Sequence, residues 1–222
     1  KLLKELNVNN VKFIGNLKFS QSEKKMPKNS ELKKKFSNKK IWCASSTHSN
    51  EELICGSIHL NLKKKIKNLL TIIIPRHIER SKKIKKDLEK LSLKVHIEGS
   101  KKKLESDTDI YLVNSYGKTK AFFENTNIVF LGGSLINHGG QNPLEAARFG
   151  CNIICGPFNQ NFKEIYEFLE KNSISKKIHT KNSLSKYLNI LLHKENKNNK
   201  IKHKLKIIGQ NILTKTIKEI NF

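Results

Sequence analysis

Phe130-Leu131-Gly132-Gly133-Ser134-Leu135-Ile136-Asn137-His138-Gly139-Gly140-Gln141-Asn142-Pro143-Leu144-Glu145 is the stretch from which the fold can be read. It opens as the end of an apolar strand that starts near Asn127. It then crosses a loop with four glycines and enters a helix. Asn142 is a good N-cap, Pro143 suits the first helical position, and Glu145 stands three residues after the cap. Strand, glycine loop and helix start is how an α/β protein builds a phosphate pocket. Glycine allows close backbone approach, and free N–H groups favour an anion. These residues point to a nucleotide or sugar-phosphate site between Gly132 and Glu145. The same Asn142 and Glu145 would also serve as a plain capping box.

Outward from this stretch, strands and helices alternate. Ile41-Trp42-Cys43-Ala44 reads as a buried strand and Leu69 to Ile74 as a second one. A continuous apolar run of this kind suits a parallel sheet covered on both faces. Further strands are expected at Val11–Gly15, Leu93–Ile97, Asp109–Val113, Asn152–Cys155 and near Ile178. Helices are expected over about 50–65, 79–91, 119–124, 143–149, 162–171, 183–192 and 201–220, with the end of another in 1–10. Ser49 and Glu52 have capping-box spacing for the first of these. Residues 20–40 are polar and lysine-rich and read as a linker or an exposed helix, and 194–200 as a polar break. The alternation predicts an α/β fold, a Rossmann-like, doubly wound, mostly parallel sheet. Loops at 45–48, 75–77, 114–117 and 132–142 all follow strands, so they should meet at one sheet edge. An Arg and a His at a strand's end, as in Arg76-His77, suit a phosphate or a carboxylate.

Composition narrows the classes. The formal net charge is +25 over 222 residues, yet Arg76, Arg80 and Arg148 are the only arginines. Lysine, asparagine and isoleucine are abundant together, as AT-rich codons produce. Arginine is preferred for bidentate phosphate and base contacts, so the charge reads as compositional drift rather than a nucleic-acid groove. Attraction to an anionic membrane surface fits the charge. No run is as long and apolar as a transmembrane helix. Cys43, Cys55, Cys151 and Cys155 form no Cys-x-x-Cys pair, which predicts neither a metal site nor a disulfide framework.

Four separated motifs carry a family resemblance. They are Ala44-Ser45-Ser46-Thr47-His48 with Glu51-Glu52, Pro75-Arg76-His77-Ile78-Glu79-Arg80, Gly132-Gly133-Ser134-Leu135, and His138-Gly139-Gly140-Gln141-Asn142-Pro143-Leu144-Glu145. In order and spacing they resemble the 3-deoxy-D-manno-octulosonic acid (Kdo) transferases, as do Gly15 to Phe19 and Gly156-Pro157 with Asn161-Phe162. The resemblance implies the C-terminal, donor-binding domain of a GT-B glycosyltransferase. Such enzymes move Kdo from CMP-Kdo to the lipid A precursor at the cytoplasmic face of the bacterial inner membrane. It implies no cofactor and no metal.

The same resemblance assigns roles. Arg76 and His77 face the donor's phosphate and nucleotide. Gly132, Gly133, Ser134, His138, Gly139 and Gly140 shape the donor pocket. Asn142 caps the helix and reaches the donor, and Glu145 accepts from the ribose hydroxyls. Ser46, Thr47 and His48 line the cleft near the transferred sugar. Residues 1–40 correspond to an interdomain linker, 41–193 to the CMP-sugar domain and 194–222 to a basic terminal helix. The acceptor domain and its general base would lie outside this chain. One loop departs from the family's Asp-Thr-x-Gly-Glu: here it is Asn114-Ser115-Tyr116-Gly117-Lys118, which keeps the turn glycine and loses both acids. Two other readings are a GT-B enzyme using a UDP-sugar, and a basic module for nucleic acid or membrane.

Overall fold

The apolar run after Asn68 forms β2 (Leu69–Pro75), buried at every position, in a computed structural model that describes residues 5, 11–21, 30–101, 103–194 and 198–220. A strand with no polar alternation must be covered on both faces. β2 pairs in parallel with β1 (Lys40–Thr47) on one side and β4 (Ile110–Leu112) on the other. With β3 (Val95–Ile97), β5 (Ile128–Leu131), β6 (Asn152–Cys155) and β7 (Ser175–Lys177) they make one seven-stranded sheet, ordered β3-β4-β2-β1-β5-β6-β7. All pairings are parallel. The doubly wound α/β fold is therefore as the alternation predicts.

Alternate side chains of each strand enter different cores. Trp42, Ala44, Ile73, Leu112 and Phe130 pack under α2 (Glu51–Lys63), α3 (Ser81–Glu89) and α7 (Lys181–His193). Cys43, Ile72, Tyr111, Val129 and Cys155 face the other way. They meet α4 (Thr119–Glu124), α5 (Leu144–Arg148), α6 (Lys163–Lys171) and α8 (Asn198–Ile220). Phe19, in a 3-10 turn at Leu17–Ser20, and Phe36, just after α1 (Ser30–Lys35), belong to this second core. A Cβ on Gly209 of α8 would lie 2.3 Å from the Phe19 carbonyl, so only glycine lets that helix sit on the turn. All four cysteines are buried thiols.

Several elements differ from the expectation. Residues 11–16 form no strand; Gly15 instead lies against Ile212 of α8. The segment meets α8 through Gly15 and a Lys12–Glu219 ion pair, while Val11 and Phe13 stay exposed rather than entering a sheet. The segment 45–48 is mostly strand rather than loop, because β1 keeps its pairing with β2 as far as Thr47 and Pro75, bulging at Ser46 (φ 56°). The Ser49–Glu52 capping box does not form. Asn50 caps α2 in a left-handed conformation without a side-chain bond, and Glu52 is engaged elsewhere. α8 begins at Asn198 rather than 201, since burial of Ile201 and Leu205 anchors its first turns. Of the helix expected in 1–10 only Glu5 is described, and 195–197 of the polar break also lie outside the described residues.

At the opposite end of the sheet from the glycine loop, a polar cluster is sealed under α2. His59 Nδ1 is 2.8 Å from Thr71 Oγ1, and its Nε2 is 3.1 Å from Asp109 Oδ1. Asp109 also accepts from Lys63 Nζ at 2.5 Å and from the Lys94 N–H at 2.9 Å. Burial alone would raise the Asp109 carboxyl. The bonds from His59 and Lys63 outweigh it and hold the group well below the usual carboxylate range. The stabilisation is complete above an ordinary carboxyl pKa of about 4 and is withdrawn as the pH falls below it. Asp109→Ala should cost about 3 kcal/mol, because it leaves His59 buried without its partner. Urea melts at pH 7 and pH 2.5 should show the wild type losing the Asp109 contribution on acidification and the variant losing less.

Candidate functional site

β1 and β5 are neighbours, but the chain leaves them toward opposite edges of the sheet, β1 for β2 and β5 for β6. Open α/β sheets leave a crevice outside such a switch point. The residues bordering it here come from the ends of β1, β2 and β5 and from the start of α2.

Glu51 organises the crevice. It is fully buried, in the first turn of α2. Its Oε2 accepts from the N–H groups of Gly133 at 2.7 Å and His48 at 3.0 Å. Its Oε1 accepts from Ser134 at 3.2 Å and Leu135 at 3.1 Å. The donors of the loop's first turn, Gly133 to Leu135, are thus already satisfied from inside the protein. A Cβ on Gly132 would lie 2.5 Å from the Ser46 carbonyl and 2.8 Å from Glu51 Oε2, so the loop closes on the carboxylate only with glycine there. Glu52 beside it is also buried. It takes a two-pronged bond from Arg80, 3.1 Å on each oxygen, and accepts from Thr47 Oγ1 at 3.1 Å.

Above this framework lie three imidazoles. The ring of His48 is 3.9 Å from that of His138 and 6.0 Å from that of His77, centre to centre. His48 is 8% exposed, and its Nε2 is buried without a hydrogen-bond partner. Burial first, then His138, His77, Arg76 and Arg80, lower its pKa to about 4. Arg76 and His77 are exposed at the end of β2, where the Arg76 N–H is held by the Thr47 carbonyl at 3.0 Å. His77 Nδ1 is 3.4 Å from Glu79.

The other expected residues divide. Asn142 does cap α5: its Oδ1 accepts from the Leu144 N–H at 3.0 Å. Glu145, in the first turn, is partly exposed and 3.8 Å from Lys120. Gly139 and Gly140 both have positive φ and fold the loop back, with the Gly140 N–H on the Gly133 carbonyl. Ser134 and Thr47 cannot present hydroxyls to a ligand. Ser134 is buried, donating to the Leu131 carbonyl and accepting from the Gly156 N–H, while the Thr47 hydroxyl is spent on Glu52. Ser46 is the bulge residue. The 114–117 loop is drawn outward: Glu98 accepts from the Asn114 N–H, Ser115 Oγ and Lys118 Nζ. Gly117 provides the turn there, with φ 79°.

Sequence reading gave Glu51, Glu52 and Arg80 no place in the site. A usable signal existed for Glu51, because it shares the helical spacing of Cys55, Ile58, His59 and Leu62, the buried face of α2. Among the described residues no group of His, Cys, Asp or Glu could hold a metal ion.

No family model matches the chain. A 3-deoxy-D-manno-octulosonic acid transferase of Haemophilus influenzae is 36% identical over 129 residues, which is 58% of this chain and 30% of that protein. One from Rickettsia bellii is 36% identical over 157 residues, 69% of this chain and 37% of that protein. The chain is a relative of the Kdo transferases. It spans less than half the length of the curated relatives it matches. The C-terminal CMP-Kdo binding domain of WaaA from Acinetobacter baumannii has the same fold, with a TM-score of 0.71 at 21% identity, covering 83% of this chain and 95% of that one. An α,α-trehalose 6-phosphate synthase from Burkholderia multivorans is more distant, with a TM-score of 0.54 at 10% identity over 86% of this chain and 44% of that one. The architecture is that of a GT-B C-terminal domain.

Against the Kdo transferase pattern, the altered loop has a local logic. Lys118 stands where the family has an acid, and it pairs with Glu98 at 3.1 Å. Glu51 carries a sharper consequence. Glu51→Ala would strand four buried N–H groups and should cost about 3 kcal/mol or more. Thermal melting measures the loss, and amide exchange at Gly133 to Leu135 should rise with it.

Proposed function

We propose that this chain is the donor-binding part of a Kdo transferase, which moves Kdo from CMP-Kdo to the lipid A precursor. The observation that carries this reading is the meeting of His48, Arg76, His77 and His138 at the β1/β5 switch point, beside the loop that leads to Asn142 and Glu145. An exposed guanidinium and imidazoles suit the phosphate of a nucleotide-sugar. Charge develops on that phosphate as CMP leaves, and preorganised cations stabilise it without reorganisation. In this reading Glu145, partly exposed in the first turn of α5, accepts from ribose hydroxyls. The residues assigned to binding are then Arg76, His77, His48, His138, Asn142 and Glu145, with Gly132, Gly133, Gly139 and Gly140 shaping the backbone. Ser134, Thr47 and Glu51 act beneath them.

In this reading the general base and the lipid acceptor surface belong to the rest of the enzyme, and the reaction takes place at the cytoplasmic face of the bacterial inner membrane. The basic α8 suits an anionic surface there. It carries Lys202, Lys204 and Lys206, with Leu213, Ile217 and Ile220 exposed.

Calorimetric titration with CMP, and with UMP and AMP as controls, tests the donor assignment. Selective CMP binding is expected, with no turnover by this chain alone. Arg76→Ala and Glu145→Gln should each weaken CMP about tenfold or more, the weight of a hydrogen bond to a charged group. Their melting temperatures should stay near wild type. Equal affinity for UMP would favour a UDP-sugar enzyme. A fall in melting temperature with unchanged CMP affinity in Glu145→Gln would make that residue a capping element only.

A further inference from the structure

We propose that the imidazole cluster of His48, His77 and His138 with Arg76, rather than the N–H groups of Gly133 to Leu135, takes up a proton when it binds a doubly charged anion. This rests on the donor-site reading above and adds a linked proton to its phosphate-binding part. The Gly133 to Leu135 part of the loop is closed to a ligand's anion, because Glu51 already accepts from those three N–H groups and from that of His48. A second anion there would face that carboxylate with those donors already taken.

The cluster has the complementary lack. Every charged group packed around His48 can be named. From α2 come Glu51, committed to four N–H groups, and Glu52, committed to Arg80 and Thr47. From the segment after β2 come Arg76, His77, Arg80 and Glu79. Glu79 is exposed and turned outward to His77 Nδ1 at 3.4 Å and to the Tyr116 hydroxyl at 3.3 Å. From the glycine loop comes His138, 3.9 Å from His48 ring to ring. Glu79 is thus the carboxylate that meets the cluster, at His77; among the described residues no uncommitted carboxylate contacts His48 or His138. The rings crowd one another, and His48 Nε2 is left buried without a partner.

Burial first, and then the neighbouring basic groups, lower the pKa of His48 to about 4. An anion seated among the rings leaves the burial but offsets the repulsion, since opposite charge favours the protonated form. Binding and protonation are then linked, and affinity must rise as pH falls, by up to about tenfold per pH unit for one linked proton. Glu51 is a positioning residue in this scheme. It fixes the His48 backbone and the Gly133 to Leu135 loop, and so holds the His48 ring under that of His138.

Inorganic sulfate is the probe, since its charge is constant across the range. Imidazole proton signals of the full 222-residue chain are followed from pH 8 to pH 5 in sulfate, and in chloride at equal ionic strength. His48 is identified by its absence in His48→Gln. In chloride it should remain neutral down to pH 5. In sulfate it should titrate within the range, a midpoint shift of at least about one pH unit, and His138→Gln or Arg76→Ala should diminish the shift. Identical curves in the two salts, or a full shift in both variants, would overturn the inference. CMP separates this from the nucleotide reading. Tight, selective CMP binding with His48 still neutral at pH 5 removes the proton-coupled site and leaves the donor assignment standing. A sulfate-dependent shift without CMP binding does the reverse.

Discussion

One buried carboxylate sets the functional edge of this protein. Glu51 gathers four backbone N–H groups from two separate strand ends. A buried donor without an acceptor costs a large part of a domain's net stability, so the glycine loop and the His48 turn are held by the same side chain. The neighbouring Glu52 repeats the device one residue later, locking Arg80 to the start of α2. The first turn of α2 thus ties together the ends of β1, β2 and β5. Its helix dipole favours acidic residues at this end, which suits both positions.

The consequence is a division of labour by depth. Groups that a surface reading would hand to a ligand are consumed one layer down: the Thr47 and Ser134 hydroxyls and the loop N–H groups. What remains accessible is cationic or aromatic, namely Arg76, His77, His138 and the rim of His48. An anionic ligand therefore meets side chains at the surface and, beneath them, a floor tied by the bonds of Glu51 and Glu52. Rigidity of that kind is what electrostatic stabilisation of a leaving phosphate requires.

The far end of the sheet has its own buried ionic cluster. His59, Thr71, Asp109 and Lys63 join α2 to β2 and β4. α2 is therefore pinned by polar contacts at both ends and by Cys55, Ile58 and Leu62 between them. That explains how a chain so rich in lysine holds its central helix in register: repulsion is left to solvent-exposed side chains, and the acids that matter are inside.

The periodicity of apolar runs determined that the sheet is parallel and doubly wound, because a strand such as Leu69 to Ile74 can be buried only between two helical layers. It also determined which loops share an edge, because every parallel strand points the same way. The motif residues of that edge, Arg76, His77, His138, Asn142 and Glu145, were legible as types suited to a nucleotide-sugar. What those patterns could not decide was which polar group meets which. Glu51 and Gly133 are 82 positions apart, and their hydrogen bond exists only once β1 and β5 lie side by side. A capping box and a buried carboxylate plug use the same local letters; only tertiary contact distinguishes them. The same holds for residues 11–16, which read as a strand: Lys12 pairs instead with Glu219 and Gly15 lies against Ile212, both on α8 about 200 residues downstream.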